Sequence, residues 1–160
     1  MKTWHSILLT AALLAGTTLS ALAAPQTPTQ VVQSFYSTVT DTSQPQLSAD
    51  QHPQFTKELK ELFAKVSEYP FPYCMDFDPW GGAQVGIDKF AILSGEKHGQ
   101  TAEIEVSVHR CGCDNALVKV LMRQEDGEWK IANFIVPQDE IDLLQILREK
   151  IDDYASLEKK

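Results

Sequence analysis

Period-two alternation between residues 87 and 136 restricts what this chain can fold into more than any other feature of its sequence. From residue 102 to residue 109, apolar side chains at even positions alternate with polar side chains at odd positions. Only short turns separate the alternating runs, so consecutive strands are expected to pair as hairpins. The sequence therefore predicts an antiparallel meander of about four strands, over residues 88–95, 101–110, 116–123 and 129–136.

Three further segments repeat apolar residues at helical spacing. The first, at about residues 29–40, follows Thr27 and Pro28, which supply a hydroxyl cap and a proline at the first helical position. The second is predicted over about residues 49–67, and the third begins at Pro137. Acids expected in the first turn of the third helix are Asp139, Glu140 and Asp142. Two N-terminal helices packed on a curved meander, with a C-terminal helix, make an α+β domain.

The first 24 residues have the pattern of a cleavable export signal. Lys2 supplies the positive charge, and a mostly apolar run over residues 7–14 leads to a small-x-small pattern that ends at Ala23. The apolar run is shorter than the roughly 20 residues that a membrane-spanning helix needs. We therefore expect cleavage after Ala23, which leaves residues 24–160 as a single domain in the periplasm or outside the cell.

The charge balance narrows the class of partner. Beyond the predicted signal the chain has 13 basic and 22 acidic residues, a net charge of −9. Nucleic acids and anionic membrane surfaces are bound by basic surfaces, so the composition argues against both. A basic protein partner stays compatible with it, and nothing in the sequence predicts a cofactor.

Three cysteines, Cys74, Cys111 and Cys113, are expected to meet an oxidising environment after export. A bridge between Cys111 and Cys113 would close a very small, strained ring, so Cys74 is predicted to pair with either of them. Such a bridge closes a loop of nearly 40 residues and would stabilise the fold by roughly 3–4 kcal/mol. A zinc site made with His109 is the alternative, but Cys-Gly-Cys is one residue shorter than the usual ligand spacing.

Residues 68–86 combine prolines and a glycine pair with many aromatic side chains. The prolines and glycines exclude a long regular element, so the aromatic side chains must either pack onto the domain or form a contact surface. We call residues 69–80 the aromatic segment. Its predicted contact residues are Tyr69, Phe71, Tyr73, Asp76, Phe77, Asp78 and Trp80.

The two carboxylates of this segment, Asp76 and Asp78, allow more than one interpretation. They are a candidate pair for Ca²⁺ binding or for acid–base chemistry, but no third acid follows in the register of an EF-hand loop. The favoured interpretation is that one aspartate caps a turn and the other is solvated. A nucleophilic pair of Cys113 and His109 is conceivable but is not favoured.

Lys119 and Arg123 are the remaining candidates for a binding role, because they share one face of a predicted strand. On a concave face they would hold an anionic ligand. On a convex face they are ordinary surface charges, which is the favoured interpretation.

Two short motifs carry a resemblance to a known fold. The turn and strand from Asp126 to Asn133, after two helices and a loop, resemble the cystatin-like cone fold of nuclear transport factor two relatives. The run from Asp76 to Trp80, followed by Ala83 and Gln84, resembles the YbjP-like envelope proteins of domain-of-unknown-function family 3828. The resemblance implies a bent sheet that wraps around helices and leaves a pocket at its open end; it implies no activity.

These observations favour a small exported binding or accessory protein without catalytic activity, acting on another exported protein. An immunity or inhibitor protein that blocks a secreted toxin or enzyme is a specific form of this hypothesis. The alternative is an enzyme whose active site lies in the cone pocket and uses Asp76 or Asp78. An enzyme is expected to bury one of these acids with a perturbed pKa, whereas a binding protein is expected to expose the aromatic side chains as a patch.

Overall fold

The alternating segments form one antiparallel sheet in which spatial order follows sequence order. A computed structural model describes residues 25–43, 45–82, 86–112, 114–157 and 159, so the predicted export signal lies outside the described residues. Within the described residues the fold is α+β, with three α-helices and five strands. The strands are Ile87–His98 (β1), Thr101–Arg110 (β2), Asn115–Glu125 (β3), Glu128–Val136 (β4) and Ile141–Asp142 (β5).

One face of the sheet carries the core, because the alternation places every second side chain there. The even-numbered residues of β2 and β3, from Ala102 to Met122, are buried. In β4 the buried positions change from odd to even between Ile131 and Phe134, where the pairing with β3 shifts register. This bulge keeps the large apolar side chains of both halves of β4 on the core face.

Helix α1, Pro28–Thr40, lies across this face and contacts β1, β2 and β4. Its start is as predicted: Thr27 Oγ1 accepts from the amide of Gln30 at 3.3 Å, and the Gln30 side chain accepts from the amide of Thr27 at 2.9 Å. This reciprocal pair satisfies two of the amides that a helix start leaves without partners. Helix α2 is Lys57–Ser67 and helix α3 is Leu143–Leu157.

The single helix predicted over residues 49–67 is wrong in its first half. Residues 49–51 form a short 3-10 turn and residues 53–54 form a second turn; a short extended stretch at Phe55 and Thr56 then lies beside β4 before α2 begins. Pro53 explains the break, because proline disfavours a helical conformation in the residue before it. The extended stretch adds to the sheet edge: the amide of Ile131 donates to Gln54 O at 2.8 Å, and Ile131 O accepts from the amide of Thr56 at 2.9 Å.

The predicted start of the last helix at Pro137 is also wrong, and the meander has five strands instead of four. Residues 137–139 form a 3-10 turn, Glu140 has a left-handed backbone (φ +55°), and β5 then pairs with the end of β4. Helix α3 starts later because Asn133 and Asp142 cap it, accepting from the amides of Leu144 at 2.9 Å and Gln145 at 3.2 Å. The acids expected in its first turn therefore precede the helix.

An aromatic cluster fills the space between the helices and the sheet. Phe35 of α1 lies at its centre, with five ring centroids within 5.2–5.3 Å. We define the aromatic cluster by Phe35 and its five neighbours, Tyr36, His52, Phe55, Trp80 and Phe134. In the part of the chain that the structure describes, no helix is long and apolar enough to cross a membrane.

The buried cap of α2 gives a test of this arrangement. Thr56 is 1% exposed, and its hydroxyl accepts from the amide of Leu59 at 3.2 Å. Thr56→Ala removes the hydroxyl that accepts from that amide, and we expect the free energy of unfolding to fall by about 1–2 kcal/mol in denaturant titrations. Thr56→Ser keeps the hydroxyl and is the control; an equal loss in both variants would contradict the capping role.

Candidate functional site

The aromatic segment is divided into two parts that pack against different elements. Residues 69–73 lie against α3, where Tyr69 stacks on Tyr154 with ring centroids 4.2 Å apart and Tyr73 meets the same ring edge-on at 5.6 Å. Between the two tyrosines, Phe71 is 76% exposed. In this part of the predicted contact surface, the side chain of Phe71 is therefore exposed to solvent, while the tyrosines on both sides of it pack against α3.

The second part of the segment is anchored in the core through Trp80. Its ring lies 5.3 Å from the rings of Phe35 and Phe134. Its backbone carbonyl accepts from the buried hydroxyl of Tyr36 at 2.8 Å. Burial raises the pKa of Tyr36 well above its usual value, and the negative charge of Asp78 raises it further, so the hydroxyl stays a donor. Trp80 is thus half buried and mainly holds the segment in place.

Asp78 shapes the turn that delivers Trp80 to the core. Its carboxylate accepts from the amide of Trp80 at 2.9 Å, and its carbonyl accepts from the amide of Gly82 at 2.9 Å. This is the turn-capping role that the sequence favoured for one of the two aspartates. Burial raises the pKa of Asp78 to about 6, against the opposing effect of the backbone hydrogen bonds from Trp80 and Gly81.

Asp76, by contrast, is exposed. The two carboxyl groups proposed as a pair therefore lie in different environments, one in contact with its own turn and one in solvent. Among the described residues, no three His, Cys, Asp or Glu side chains come together as a possible metal site. The alternative zinc site falls partly outside this test, because Cys113 is not among those residues.

A cleft of about 380 Å³ opens beside the second part of the aromatic segment. Phe77, Pro79 and Trp80 line one side of it, and Phe63 of α2 contributes an apolar ring. Its other lining residues are Ser48, Ala49, Asp50, Ser67, Cys74 and Met75. Mostly apolar concave surface with a few polar groups at its border is the usual character of a binding site.

His52 is a member of the aromatic cluster that the sequence did not single out. It is 2% exposed, and its Nδ1 has no hydrogen-bond partner. Burial lowers the pKa of His52, and the charge of Lys60 lowers it further, so the imidazole is kept neutral. Its ring lies 5.6 Å from that of Trp80, which makes it a packing group behind the cleft.

An ion pair between a buried arginine and a partly exposed aspartate lies beside Gly82, two residues after the aromatic segment. Arg110 is 8% exposed and pairs with Asp139. Gly82 packs directly against this region: a Cβ there would lie 3.2 Å from Asp139 Oδ2 and 2.9 Å from Ile141 Cδ1, and its φ is +66°. Only glycine fits this conformation without strain, which explains one residue of the glycine pair. The long sequence separation of Arg110 and Asp139 left no signal from which the pair was predictable.

Lys119 and Arg123 lie on the sheet face opposite the core, and acids compensate both charges. Lys119 Nζ is 2.9 Å from Glu103 Oε1, and Arg123 contacts Glu125 at 2.8 Å and Glu58 at 3.2 Å. Both basic side chains therefore already form ion pairs, as ordinary surface charges do.

His109 lies on the same face of the sheet, and its Nδ1 is 2.5 Å from Asp88 Oδ1.

The cysteine pairing stays a prediction. Cys74 lines the cleft and Cys111 is exposed in the turn after β2, and neither forms a disulfide in the structure. Cys113, the other predicted partner of Cys74, lies outside the described residues, as does the candidate nucleophilic pair of Cys113 with His109.

Comparison with known proteins found no relative of this chain: no family model, no curated protein and no solved structure matches it. The resemblance to the cone fold and to the YbjP-like envelope proteins therefore stays a prediction.

The charge of Asp78 should oppose folding above its pKa. Its pKa is 3.8 in an unfolded chain and about 6 in the folded protein, so its contribution to stability is present at low pH and is lost as the pH rises through 6. Asp78→Asn keeps an oxygen for the amide of Trp80 but removes the charge. We expect this variant to be more stable than the wild type by about 2 kcal/mol at pH 8 and nearly equal to it at pH 4.

Thermal melts at both pH values measure this difference, and Asp76→Asn is the matched control, because Asp76 is exposed. The control should melt with the wild type at both pH values. Equal melting temperatures of Asp78→Asn and the wild type at pH 8 would show that the buried carboxylate carries no such cost.

The disulfide prediction is testable in the same way. If Cys74 is bridged in the exported protein, Cys74→Ser should lower the free energy of unfolding by roughly 3–4 kcal/mol under oxidising conditions. Only one of Cys111→Ser and Cys113→Ser should cause the same loss, which identifies the pair. A melting curve of Cys74→Ser that matches the wild type would remove the disulfide.

Proposed function

We propose that this chain is an exported, non-catalytic binding or accessory protein that contacts another exported protein through the aromatic segment. The observation that carries the proposal is the cleft: Phe77, Pro79 and Trp80, all within the segment that the sequence marked as a contact surface, line it together. Trp80 is fixed by the aromatic cluster, so the cleft wall is already in place before a partner arrives. A preformed apolar site lowers the entropic cost of binding.

The specific form of the proposal is an immunity or inhibitor protein for a basic secreted toxin or enzyme. The net charge of −9 beyond the predicted signal supports it, since opposite charge accelerates the encounter of two proteins. Export, cleavage after Ala23 and a periplasmic or extracellular location belong to the same proposal.

One observation favours a second candidate, an enzyme that uses Asp78. A carboxyl group with a pKa of about 6 is suited to proton transfer near neutral pH. For that chemistry, however, the carboxylate would have to exchange the amide of Trp80 for a substrate. The lining of the cleft, among the described residues, includes both neighbours of Asp78 but not Asp78 itself, so the binding function is the better supported of the two.

Native, non-reducing mass spectrometry of the protein from the exported fraction of its host tests the proposal. A mass for residues 24–160 with a stoichiometric protein attached would support it and would identify the partner. A small molecule bound in place of a protein would instead favour the enzyme candidate. A full-length mass of residues 1–160 would overturn the export prediction.

A variant that fills the cleft makes the test specific to the site. Ser67 ends α2, is exposed and lines the cleft, and its hydroxyl donates to Ala64 O at 2.7 Å. We expect Ser67→Trp to fold normally and to reduce the fraction of partner-bound protein at least tenfold. Ser37→Trp is the control, because Ser37 is exposed on helix α1, outside both the lining of the cleft and the surface around Phe71. Equal partner occupancy in both variants would remove the cleft from the proposal.

A further inference from the structure

We propose that Phe71 is the anchor residue of the binding surface, and that its partner presents an apolar pocket bordered by lysine or arginine side chains. This inference rests on the proposed binding function and specifies the chemistry of the partner. It concerns a part of the aromatic segment that is separate from the cleft, and the two sites can be tested independently.

Phe71 is the most exposed of the large hydrophobic side chains that the structure describes, at 76%. The others are Leu93 at 57%, Leu47 at 43% and Leu157 at 42%. A single exposed apolar side chain is common on soluble proteins and by itself needs no explanation. The inference therefore depends on how Phe71 is held and on what surrounds it.

The backbone on both sides of Phe71 is fixed to α3. A tight turn places Phe71 at its second position, closed by a hydrogen bond of 2.9 Å from the amide of Tyr73 to Pro70 O. Tyr154 of α3 contacts the rings of both Tyr69 and Tyr73. The side chain at the tip of the turn is thus exposed while its flanks are packed, an arrangement that presents an aromatic ring with little loss of conformational entropy on binding.

A second contact ties the turn to the same helix. Lys150 Nζ donates to Pro72 O at 3.1 Å, one helical turn before Tyr154. Leu157 lies three residues after Tyr154, so the two side chains are neighbours on the helix surface, and Leu157 is 42% exposed. The turn that carries Phe71 is therefore packed on a helix that has further exposed apolar surface at Leu157, and aromatic and aliphatic groups of this kind carry most of the energy of protein interfaces.

Acidic residues border this surface. Glu68 precedes Tyr69 and is exposed, and Asp153 precedes Tyr154 and is exposed. The nearby cation, Lys150, is engaged by the carbonyl of Pro72. Lys150 keeps its positive charge in that contact, so these two acids and one cation leave one net negative charge beside the surface, and the chain beyond its predicted signal carries −9.

This charge selects among the possible occupants. An anionic membrane surface and a second copy of this chain would both meet like charge, which opposes association. A protein with a basic border around an apolar pocket would be attracted in two ways. Its pocket would bury the ring of Phe71, and its basic side chains would form ion pairs with the acids around that ring. We therefore commit to a basic protein surface as the occupant.

Site-specific photocrosslinking in the exported fraction of the host identifies the occupant. The photoreactive amino acid p-benzoylphenylalanine replaces Phe71 in the full chain, and the same substitution at Leu93 is the control, because Leu93 is exposed on the edge strand β1. We expect one protein adduct from position 71 that is missing from position 93. An adduct with lipid, with a second copy of the chain, or with the same proteins at both positions would overturn the inference.

The purified adduct partner is then measured against variants of this chain, since capture alone is not support. We expect Phe71→Ala to raise Kd at least 30-fold, as truncation of an anchor residue does, and Leu93→Ala to change it less than threefold. Thermal melts confirm that both variants fold. A change of less than threefold for Phe71→Ala would overturn the anchor role.

The charge component has its own pair of variants on α3. Asp153→Lys lies beside the anchor surface, whereas Asp152→Lys changes the total charge equally but lies on a different side of the helix, in a groove with Glu149 and Arg148. We expect Asp153→Lys to lower the association rate more than tenfold at low salt and to flatten its salt dependence, with a smaller effect of Asp152→Lys. Equal effects of the two variants would contradict a local basic rim.

These results separate the inference from the proposed function. If a stoichiometric partner is found and Ser67→Trp releases it while Phe71→Ala does not, the binding function stands and the anchor role falls. If neither position 71 nor native mass spectrometry yields a protein partner, both fall.

Discussion

The packing of aromatic rings around Phe35 is the interaction on which the rest of the structure depends. Four separate parts of the chain meet there: helix α1, the extended stretch before α2, the aromatic segment through Trp80, and strand β4 through Phe134. Each buried aromatic side chain removes roughly 150–250 Å² from water, which corresponds to several kcal/mol per ring. The packing of Trp80 against Phe35 and Phe134 is therefore one of the contacts that fix the position of the aromatic segment.

As a result, the aromatic segment has a fixed position on the domain although it contains little regular secondary structure. The segment is held at three places: by Tyr154 at its start, by the aromatic cluster at Trp80, and by the tight packing of Gly82 against the region of Asp139 at its end. Proline and glycine give the backbone the shape to reach these points. The side chains that point elsewhere, Phe71 outward and Phe77 into the cleft, are then presented without a large entropic cost. The same burial that stabilises the fold therefore prepares the surface that we propose for binding.

Local patterns in the sequence predicted the elements whose causes are local. Strand β2 and helix α1 follow from alternation and from a capping motif, and the predicted class, α+β with an antiparallel meander, is confirmed. The break before α2 was also local: Pro53 lies inside the predicted helix, and the apolar positions at helical spacing begin only after it, at Phe55. Strand β5 has only two residues, and its pairing with β4 depends on the left-handed turn at Glu140, which a periodicity over so short a stretch cannot reveal.

The division of the candidate site was not predictable for the opposite reason, because its causes are distant in sequence. Tyr69 and Trp80 have different surroundings because they pack against different parts of the chain. Tyr69 contacts Tyr154 near the end of the chain, and Trp80 contacts Phe35 near its start. The same applies to the aspartates. The motif treats Asp76 and Asp78 alike, whereas the fold buries one beside Tyr36 and leaves the other in solvent. A composition rich in aromatic residues indicated a surface, and only the tertiary contacts distinguish its anchors from its exposed groups.

Two titratable groups near Trp80, the buried His52 and the half-buried Asp78, act on stability in opposite directions as pH changes. Because the folded pKa of Asp78 is raised to about 6, its contribution to stability grows as the pH falls from 6 towards 4. Because the folded pKa of His52 is lowered, the unfolded chain takes up a proton below about pH 6.5 that the folded chain does not, and stability falls over the same range. The two effects offset each other in mildly acidic solution. The pH dependence of stability that the two groups produce together is therefore smaller than the sum of their separate magnitudes.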